Sequence, residues 1–246
     1  PILMSALKPL GRSAKDFGET AYKLALGGCP LIKDDHSLFN QSYAPFKDRV
    51  KACVDSVNNA NTKTGGRSLY IANCTADSME FLERAMTAQE LGAGGIMAAP
   101  GLLGLSIIRE LSSAPDFHLP IFLHPCFSGP LVLSADSGVS PFCYYGQFSR
   151  LAGADAAIFT SFGGRFPFTE EVCRKICDGT ETEMGGLRSI FPVPSGGMKW
   201  QLFKKMVQVY GPDAIFLVGG ALLTESDDLT ANMHFYFEKL NEAVNK

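Results

Sequence analysis

The chain has 246 residues, of which 46% are hydrophobic and 19% are charged, and its formal net charge is −3. Its lysines and arginines are scattered, so the sequence lacks the basic stripe that neutralises the phosphates of DNA or RNA. No apolar run reaches the roughly 18 residues that a membrane-spanning helix needs. The 7 cysteines include no C-x-x-C pair, which is typical of buried thiols in a reducing compartment. These features predict a cytoplasmic protein that binds neither nucleic acid nor a membrane.

Eight short apolar runs alternate with longer stretches of helical periodicity. A strand of a parallel sheet is covered on both faces, which makes it apolar for most of its length. The predicted strands are 2–7, 30–33, 69–73, 95–99, 121–124, 156–160, 190–193 and 214–218. An open doubly wound sheet has the same alternation, but the count of eight favours an α/β fold of the (β/α)8 TIM barrel type. We expect residues 1–246 to form one such domain.

The stretches between the strands carry helix signals of their own. Ser13, followed three residues later by Asp16, is typical of a capping box at the start of the first helix. The third helix is predicted to run from Asp77 to a stop at Gly92. Apolar residues at helical spacing mark two further helices near the end of the chain.

Polar side chains follow several predicted strands at their carboxyl ends, where the loops of a barrel converge on one mouth. Lys8 follows the first strand, the run from Lys33 to His36 ends the second, and His124 ends the fifth. Alternation along a strand directs Lys33 and Asp35 to the same side. The carboxylates of this run suit a divalent cation, although a solvated loop has the same composition. Lys8 is a candidate base, because apolar walls and a nearby cation lower the pKa of an amine.

Glycine pairs follow the last two predicted strands. Gly196 and Gly197 come after Ser195 at the seventh strand, and Gly219 and Gly220 follow the eighth. Backbone N–H groups of glycines can approach an anion closely, and this part of a barrel is a recurrent phosphate site. The pairs therefore predict a phosphorylated small-molecule ligand, with tight turns as the alternative.

In order and spacing, these residues resemble the RuBisCO superfamily over essentially the whole chain. The resemblance rests on Lys8-Pro9 with Ser13-Ala14-Lys15, on Gly27-Gly28 through Lys33-Asp34-Asp35, and on the two glycine pairs. It implies the barrel that forms the C-terminal domain of the large subunit. The family's N-terminal α+β domain has no counterpart in this sequence. That domain completes the neighbour's active site, so the resemblance also implies a homodimer for the full-length protein.

The resemblance implies roles for the strand-end residues. Lys33 matches the lysine that reacts with carbon dioxide, and its carbamate would bind magnesium, or manganese, together with Asp35. His36 stands where the family normally supplies a further carboxylate ligand, which makes it a candidate metal ligand that alters metal preference. Lys8 matches the lysine that transfers protons during enolisation.

Three further positions match residues of the family's active site. Asn73 matches an asparagine near the metal, where it would contact substrate. His124 matches a histidine at the site. Arg165 falls at the lysine of the mobile loop that closes over substrate, where a guanidinium suits a carboxylate or phosphate.

Two departures from the family pattern bear on the substrate. Pro125 and Ile158 replace an arginine and a histidine that hold the second phosphate of a bisphosphate. The sequence therefore resembles the RuBisCO-like proteins that do not fix carbon dioxide. We expect metal-dependent enolisation, isomerisation or decarboxylation of a monophosphorylated ketose or keto-acid. The alternatives are a non-catalytic phosphate-binding or assembly protein with the same barrel, and an unrelated phosphate-binding barrel.

Overall fold

The computed structural model describes residues 1–134, 136–164 and 167–245. Its strands are β1 (Ile2–Ala6), β2 (Leu31–Lys33), β3 (Leu69–Asn73), β4 (Gly95–Ala98), β5 (Ile121–Leu123), β6 (Ala156–Thr160), β7 (Phe191–Ser195) and β8 (Ile215–Val218). Each strand pairs in parallel with the next, and β8 pairs with β1, so the sheet closes into a barrel. Every predicted strand is confirmed, and the closed (β/α)8 barrel is correct rather than the open sheet.

Helices surround the barrel and fill its loops. They are α1 (Ala14–Leu26), α2 (Phe46–Thr64), α3 (Ser78–Glu90), α4 (Pro100–Leu103), α5 (Leu105–Ser112), α6 (Gly129–Val132), α7 (Ser149–Leu151), α8 (Glu170–Glu181), α9 (Phe203–Tyr210), α10 (Gly220–Leu223) and α11 (Leu229–Val244). A π-helix spans Phe142–Phe148, and a 3-10 helix spans Trp200–Leu202. The predicted capping box is confirmed, because Ser13 and Asp16 exchange hydrogen bonds at the start of α1. None of the helices in the described ranges is long and apolar enough to span a bilayer.

Two apolar cores hold the barrel together. Every strand contributes to the interior core, which contains Met4, Ala6, Leu31, Ile71, Met97, Phe122, Ala156, Ile158, Val193, Ile215 and Leu217. A larger core lies between the outer face of the strands and the helices. Successive strand residues therefore enter different cores, which explains why the strands are apolar along their whole length.

Strand β7 ends later than its sequence pattern indicates. The prediction stopped at residue 193, whereas the strand continues to Ser195, which pairs with both Thr160 and Leu217. Pro192 and Pro194 lack N–H groups. Phe191 and Ser195, at the alternate positions of β7, hydrogen-bond to the β6 side, so the backbone nitrogens of the two prolines are directed towards β8. Pairing with β6 on one side and with β8 on the other continues β7 through prolines that, in sequence, indicate a turn.

A buried carboxylate joins β2 to its neighbours. Asp34 directly follows β2 and has no exposed surface. Its carboxylate accepts hydrogen bonds from Arg49 Nε of α2 at 3.1 Å, from the Tyr70 hydroxyl of β3 at 2.7 Å and from the Asn73 N–H at 3.0 Å. Arg49 also donates to the backbone oxygens of Ala44 and two further residues of the loop after β2. This network fixes the end of β2 and the loop that follows it.

We expect Arg49→Met to lower the free energy of unfolding by about 3–5 kcal/mol, because it leaves the Asp34 carboxylate buried without its counter-charge. Urea unfolding measures the change. Lys51→Met is the matched control, since Lys51 lies on the same helix and its ion pair with Asp55 is exposed. It should change the free energy by less than about 0.5 kcal/mol. Equal effects of both variants would contradict a structural role for the Asp34 network.

Candidate active site

A cleft of about 660 Å³ opens at the carboxyl ends of the strands. Its lining brings together the loops after β1, β2, β5, β7 and β8. The predicted site residues on its wall are Lys8, Lys33, Asp35, His36, His124, Ser195, Gly196, Gly197, Gly219 and Gly220. Residues that lie far apart in sequence therefore share one opening, as the barrel prediction requires.

The end of β2 divides its side chains between two environments. Leu31 belongs to the interior core, and Lys33 and Asp35, at the next alternate positions, line the cleft. Asp34 lies on the opposite side with Arg49. The predicted alternation of Lys33 and Asp35 is confirmed, and it assigns the two carboxylates of this segment to different tasks.

Lys33 is a buried amine. Its side chain is 2% exposed, and its Nζ donates to the Asp34 backbone oxygen at 2.7 Å. Burial lowers the pKa of Lys33 to about 8, although the carboxylates of Asp35 and Asp34 oppose the shift. The positive charge of Lys8 adds to the lowering. A substantial fraction of this amine is therefore neutral, and nucleophilic, slightly above neutral pH.

Asp35 forms an ion pair with Lys8 across the cleft wall. Burial acts to raise the pKa of the Asp35 carboxyl. The hydrogen bond from Lys8, the Ser37 N–H at 2.9 Å and the neighbouring charge of His36 outweigh burial, so this pKa lies below its ordinary value. Asp35 is therefore an anion at neutral pH.

Two imidazoles stack beside this ion pair. The rings of His36 and His124 lie 4.6 Å apart and 7° from parallel, and His36 Nδ1 is 3.5 Å from an Asp35 oxygen. Burial lowers the pKa of His124 well below its ordinary value, and the charges of Lys33, His36 and Lys8 act in the same direction. His124 Nδ1 accepts the Cys126 N–H at 3.1 Å, which leaves the proton of the neutral ring on Nε2. His124 is therefore a hydrogen-bond donor that carries no charge.

Asn73 lies behind the cleft. Its amide donates to the backbone oxygens of His36 at 3.0 Å and Leu38 at 3.1 Å, and its Oδ1 accepts from Thr75 N–H at 3.2 Å. Among the described lining residues of the cleft, Asn73 is absent. Its side chain thus holds the loop that carries His36, and direct contact with substrate stays a prediction. Arg165 lies outside the described residues.

The glycine pairs lie on the cleft wall. Gly196 and Gly197 have φ angles of 86° and 85°, a left-handed conformation that favours glycine. Gly219 and Gly220 lie on the neighbouring loop. The Ser195 hydroxyl donates to the Phe159 backbone oxygen at 2.9 Å, so its proton is already used within the barrel. The predicted convergence of the two loops is confirmed, while the phosphate itself stays a prediction.

The sequence did not reveal the wall formed by the segment after β5. Ser128, Val132, Leu133 and Tyr145 line the cleft from this segment, and Phe168, which follows β6, lines it as well. Ser128 follows a strand end closely, so the rule that locates barrel sites at strand ends would have found it. Tyr145 lies 17 residues further along the chain, and no periodic signal indicates the π-helix that carries it.

A divalent cation fits this donor set under one condition. Within the described ranges, no three His, Cys, Asp or Glu side chains are grouped so that they could hold a metal ion. Asp35 and His36 supply an oxygen and a nitrogen on adjacent residues. The third ligand would be a carbamate on Lys33, whose buried amine with its lowered pKa suits that modification.

Comparison with known proteins agrees with this geometry. Residues 1–232 match the family model of the ribulose bisphosphate carboxylase large chain, catalytic domain. A 5-methylthioribulose-1-phosphate isomerase from Rhodospirillum rubrum is 36% identical over 230 residues, covering 92% of this chain and 59% of its own length. A 2,3-diketo-5-methylthiopentyl-1-phosphate enolase from Geobacillus thermodenitrificans is 35% identical over 223 residues, covering 90% of this chain and 54% of its own.

A solved structure shows the same barrel. The crystal structure of a RuBisCO-like protein from Alicyclobacillus acidocaldarius has a TM-score of 0.90 and 29% identity, covering 100% of this chain and 64% of that one. The chain therefore spans less than two thirds of the length of these relatives. The chain belongs to the RuBisCO large-chain family, and its similarity is to the RuBisCO-like members of that family.

Proposed function

We propose that the chain forms the barrel of an enzyme that enolises or isomerises a monophosphorylated ketose or keto-acid, and that it does not fix carbon dioxide. The observation that carries this proposal is the single cleft in which Lys8, Lys33 and Asp35 share the wall with the two glycine loops. An amine and a carboxylate beside an anion-binding loop suit proton abstraction next to a carbonyl. The names of the two relatives describe reactions of this kind.

The opposite side of the cleft supports a single phosphate. Pro125 lines the cleft without a charge, and Ile158 lies in the interior core of the barrel. The lysines of the described lining, Lys8 and Lys33, both lie beside Asp35. A second phosphate would therefore meet no positive charge among the described residues of this part of the cleft, which disfavours a bisphosphate substrate.

The residues of the cleft divide the work of enolisation. Backbone N–H groups of the glycine loops hold the phosphate, and the His124 Nε2–H donates to a substrate oxygen. Lys8 takes the proton from the carbon next to the carbonyl. The electron pair of that C–H bond forms the new C=C bond, and the π pair of the carbonyl moves onto its oxygen, where the His124 N–H stabilises the enolate. Asp35 then stabilises the resulting ammonium ion, the same pairing that the structure contains.

Asp35, His36 and a carbamate on Lys33 are the residues that would hold a divalent cation, magnesium or manganese. When bound, such a cation polarises the substrate carbonyl and stabilises the negative charge that develops on oxygen. A histidine ligand shifts the preference of this site towards manganese.

We further propose that the protein acts in the cytoplasm as a homodimer. The free cysteines, Cys29, Cys53, Cys74, Cys126, Cys143, Cys173 and Cys177, support a reducing compartment. A related RuBisCO from Hyperthermus butylicus, 27% identical, is described as dimeric.

Hydrogen exchange tests the proposed reaction. With 5-methylthioribulose 1-phosphate, manganese and bicarbonate in heavy water, we expect NMR to show loss of the C–H signal next to the carbonyl. Lys8→Met should slow this exchange at least about 100-fold, since a positioned base contributes roughly 10²–10⁴-fold. Lys15→Met, at an exposed position of α1, should leave it unchanged. Absence of exchange with any ketose phosphate would favour the non-catalytic phosphate-binding alternative.

Isotope labelling tests the third metal ligand. We expect ¹³C-bicarbonate to give a carbamate signal by NMR that disappears in Lys33→Arg, because a guanidinium stays protonated and does not react. Manganese binding, followed by electron paramagnetic resonance, should weaken at least about ten-fold in the same variant, the usual cost of disturbing a metal site. Lys175→Arg, an exposed position on α8, should change neither readout. Unaltered manganese affinity in Lys33→Arg would remove Lys33 from the metal site.

A matched pair of glycine variants tests the phosphate loops. Gly197 and Gly211 have φ angles of 85° and 76°, so alanine at either position strains the backbone. Of these two glycines, Gly197 belongs to the described lining of the cleft, whereas Gly211 follows the end of α9. We expect Gly197→Ala to weaken the binding of inorganic phosphate several-fold by calorimetry, while Gly211→Ala affects stability alone. The same phosphate affinity in both variants would contradict a phosphate site at this loop.

A further inference from the structure

A pair of hydroxyl groups lies in the cleft wall that the sequence did not reveal. Ser128 Oγ is 2.7 Å from the Pro125 backbone oxygen and 2.7 Å from the Tyr145 hydroxyl. A serine hydroxyl has one proton, and the carbonyl oxygen of Pro125 can only accept. Ser128 therefore donates to Pro125, and the Tyr145 hydroxyl donates to Ser128. The Pro125 carbonyl oxygen, which can only accept, thus fixes the direction of both hydrogen bonds.

The surrounding structure holds Tyr145 in place. Tyr145 is 5% exposed. The centroid of its ring lies 6.3 Å from that of Phe159 and 6.2 Å from that of Phe168. The π-helix that carries it packs closely on α8, because a Cβ atom on Gly146 would overlap the backbone of Gly179. Burial raises the pKa of Tyr145 to about 12, so the phenol keeps its proton. A ligand therefore meets a preformed group.

The direction of these hydrogen bonds decides which ligand group the pair can bind. With its single proton committed to Ser128, the Tyr145 oxygen has only lone pairs left to offer. It can accept a hydrogen bond from a ligand hydroxyl. A carbonyl, carboxylate or phosphate oxygen placed there brings lone pairs against lone pairs and leaves both acceptors unsatisfied, which costs free energy in a buried site. The pair thus discriminates between oxygens that carry a proton and oxygens that do not.

We propose that Ser128 and Tyr145 form a specificity determinant that selects a substrate with a hydroxyl group on its carbon chain, beyond the phosphate and the carbonyl. This inference rests on the proposed function and narrows its substrate class. The names of the two relatives describe substrates that differ in their hydroxyl groups. A ribulose 1-phosphate derivative bears hydroxyls next to its carbonyl, whereas a 2,3-diketo-pentyl phosphate bears carbonyls instead. The pair favours the hydroxylated ketose phosphate, and with it isomerisation over enolisation of a diketone.

Two ligands that differ in their hydroxyl groups test the pair. D-ribulose 1-phosphate and 2-oxopentyl phosphate share the phosphate, the carbonyl and five carbons, and only the first has hydroxyls. Calorimetry on the full chain without added metal ion measures binding in the absence of turnover. We expect Tyr145→Phe to weaken ribulose 1-phosphate about five-fold, the size of one hydrogen bond, and to change 2-oxopentyl phosphate less than two-fold. Inorganic phosphate should bind equally to both proteins.

Tyr144→Phe is the matched control, because Tyr144 lies on the same π-helix and is absent from the described cleft lining. It should change neither affinity. Ser128→Ala removes the acceptor and frees the Tyr145 proton for a ligand carbonyl. It should therefore reduce the preference for the hydroxylated ligand by several-fold. Circular dichroism and the thermal midpoint confirm that each variant is folded. If Ser128→Ala does not fold, the affinities of Tyr145→Phe alone test the proposal.

Equal losses for both ligands in Tyr145→Phe, the same loss in Tyr144→Phe, or no binding of either ligand by the parent would overturn the proposal. The outcome is separable from that of the proposed reaction. A hydroxyl-specific loss of affinity without any deuterium exchange supports the role of Ser128 and Tyr145 in substrate selection and contradicts the enolising reaction. Deuterium exchange without the hydroxyl-specific loss of affinity supports the enolising reaction and contradicts the role of Ser128 and Tyr145 in substrate selection.

Discussion

Asp34 carries a carboxylate with no exposed surface, and three donor groups satisfy it: Arg49 from α2, the Tyr70 hydroxyl from β3, and the Asn73 backbone N–H at the end of β3. A buried charge without such partners is strongly destabilising, so these hydrogen bonds and the position of Asp34 require each other. Because adjacent strand residues point in opposite directions, fixing Asp34 outward directs Lys33 and Asp35 into the cleft. The chemistry of the cleft depends on a carboxylate that does not line it.

The charges on the cleft wall are arranged so that each alters the others. The hydrogen bond from Lys8 helps to lower the pKa of the Asp35 carboxyl, and burial lowers the pKa of the Lys33 amine although the carboxylates of Asp35 and Asp34 oppose that shift. His124 is neutral beside two lysines and stacks on His36. Such a cluster separates the tasks of base, anion and neutral donor among neighbouring groups, a division that acid–base chemistry at one pH requires.

The two sides of the cleft contribute differently to recognition. The glycine loops after β7 and β8 and the polar end of β2 suit the groups that any phosphorylated ketose presents. The segment after β5 adds Val132 and Leu133, which are apolar, and the oriented hydroxyls of Ser128 and Tyr145. The proposed reaction therefore depends on the first side of the cleft, and the proposed choice of substrate depends on the second.

By itself, the sequence determined the eight strands, the capping box at Ser13 and the alternation of Lys33 and Asp35, because periodicity and capping act over only a few residues. It also located the glycine loops, since strand ends of a barrel share one mouth. Only the tertiary structure decided that Asn73 supports the His36 loop rather than lining the cleft, that β7 continues to Ser195, and that Tyr145 reaches Ser128. Each of these depends on which distant groups satisfy a buried donor or acceptor, and that pairing is set by packing in three dimensions rather than by neighbours in the chain.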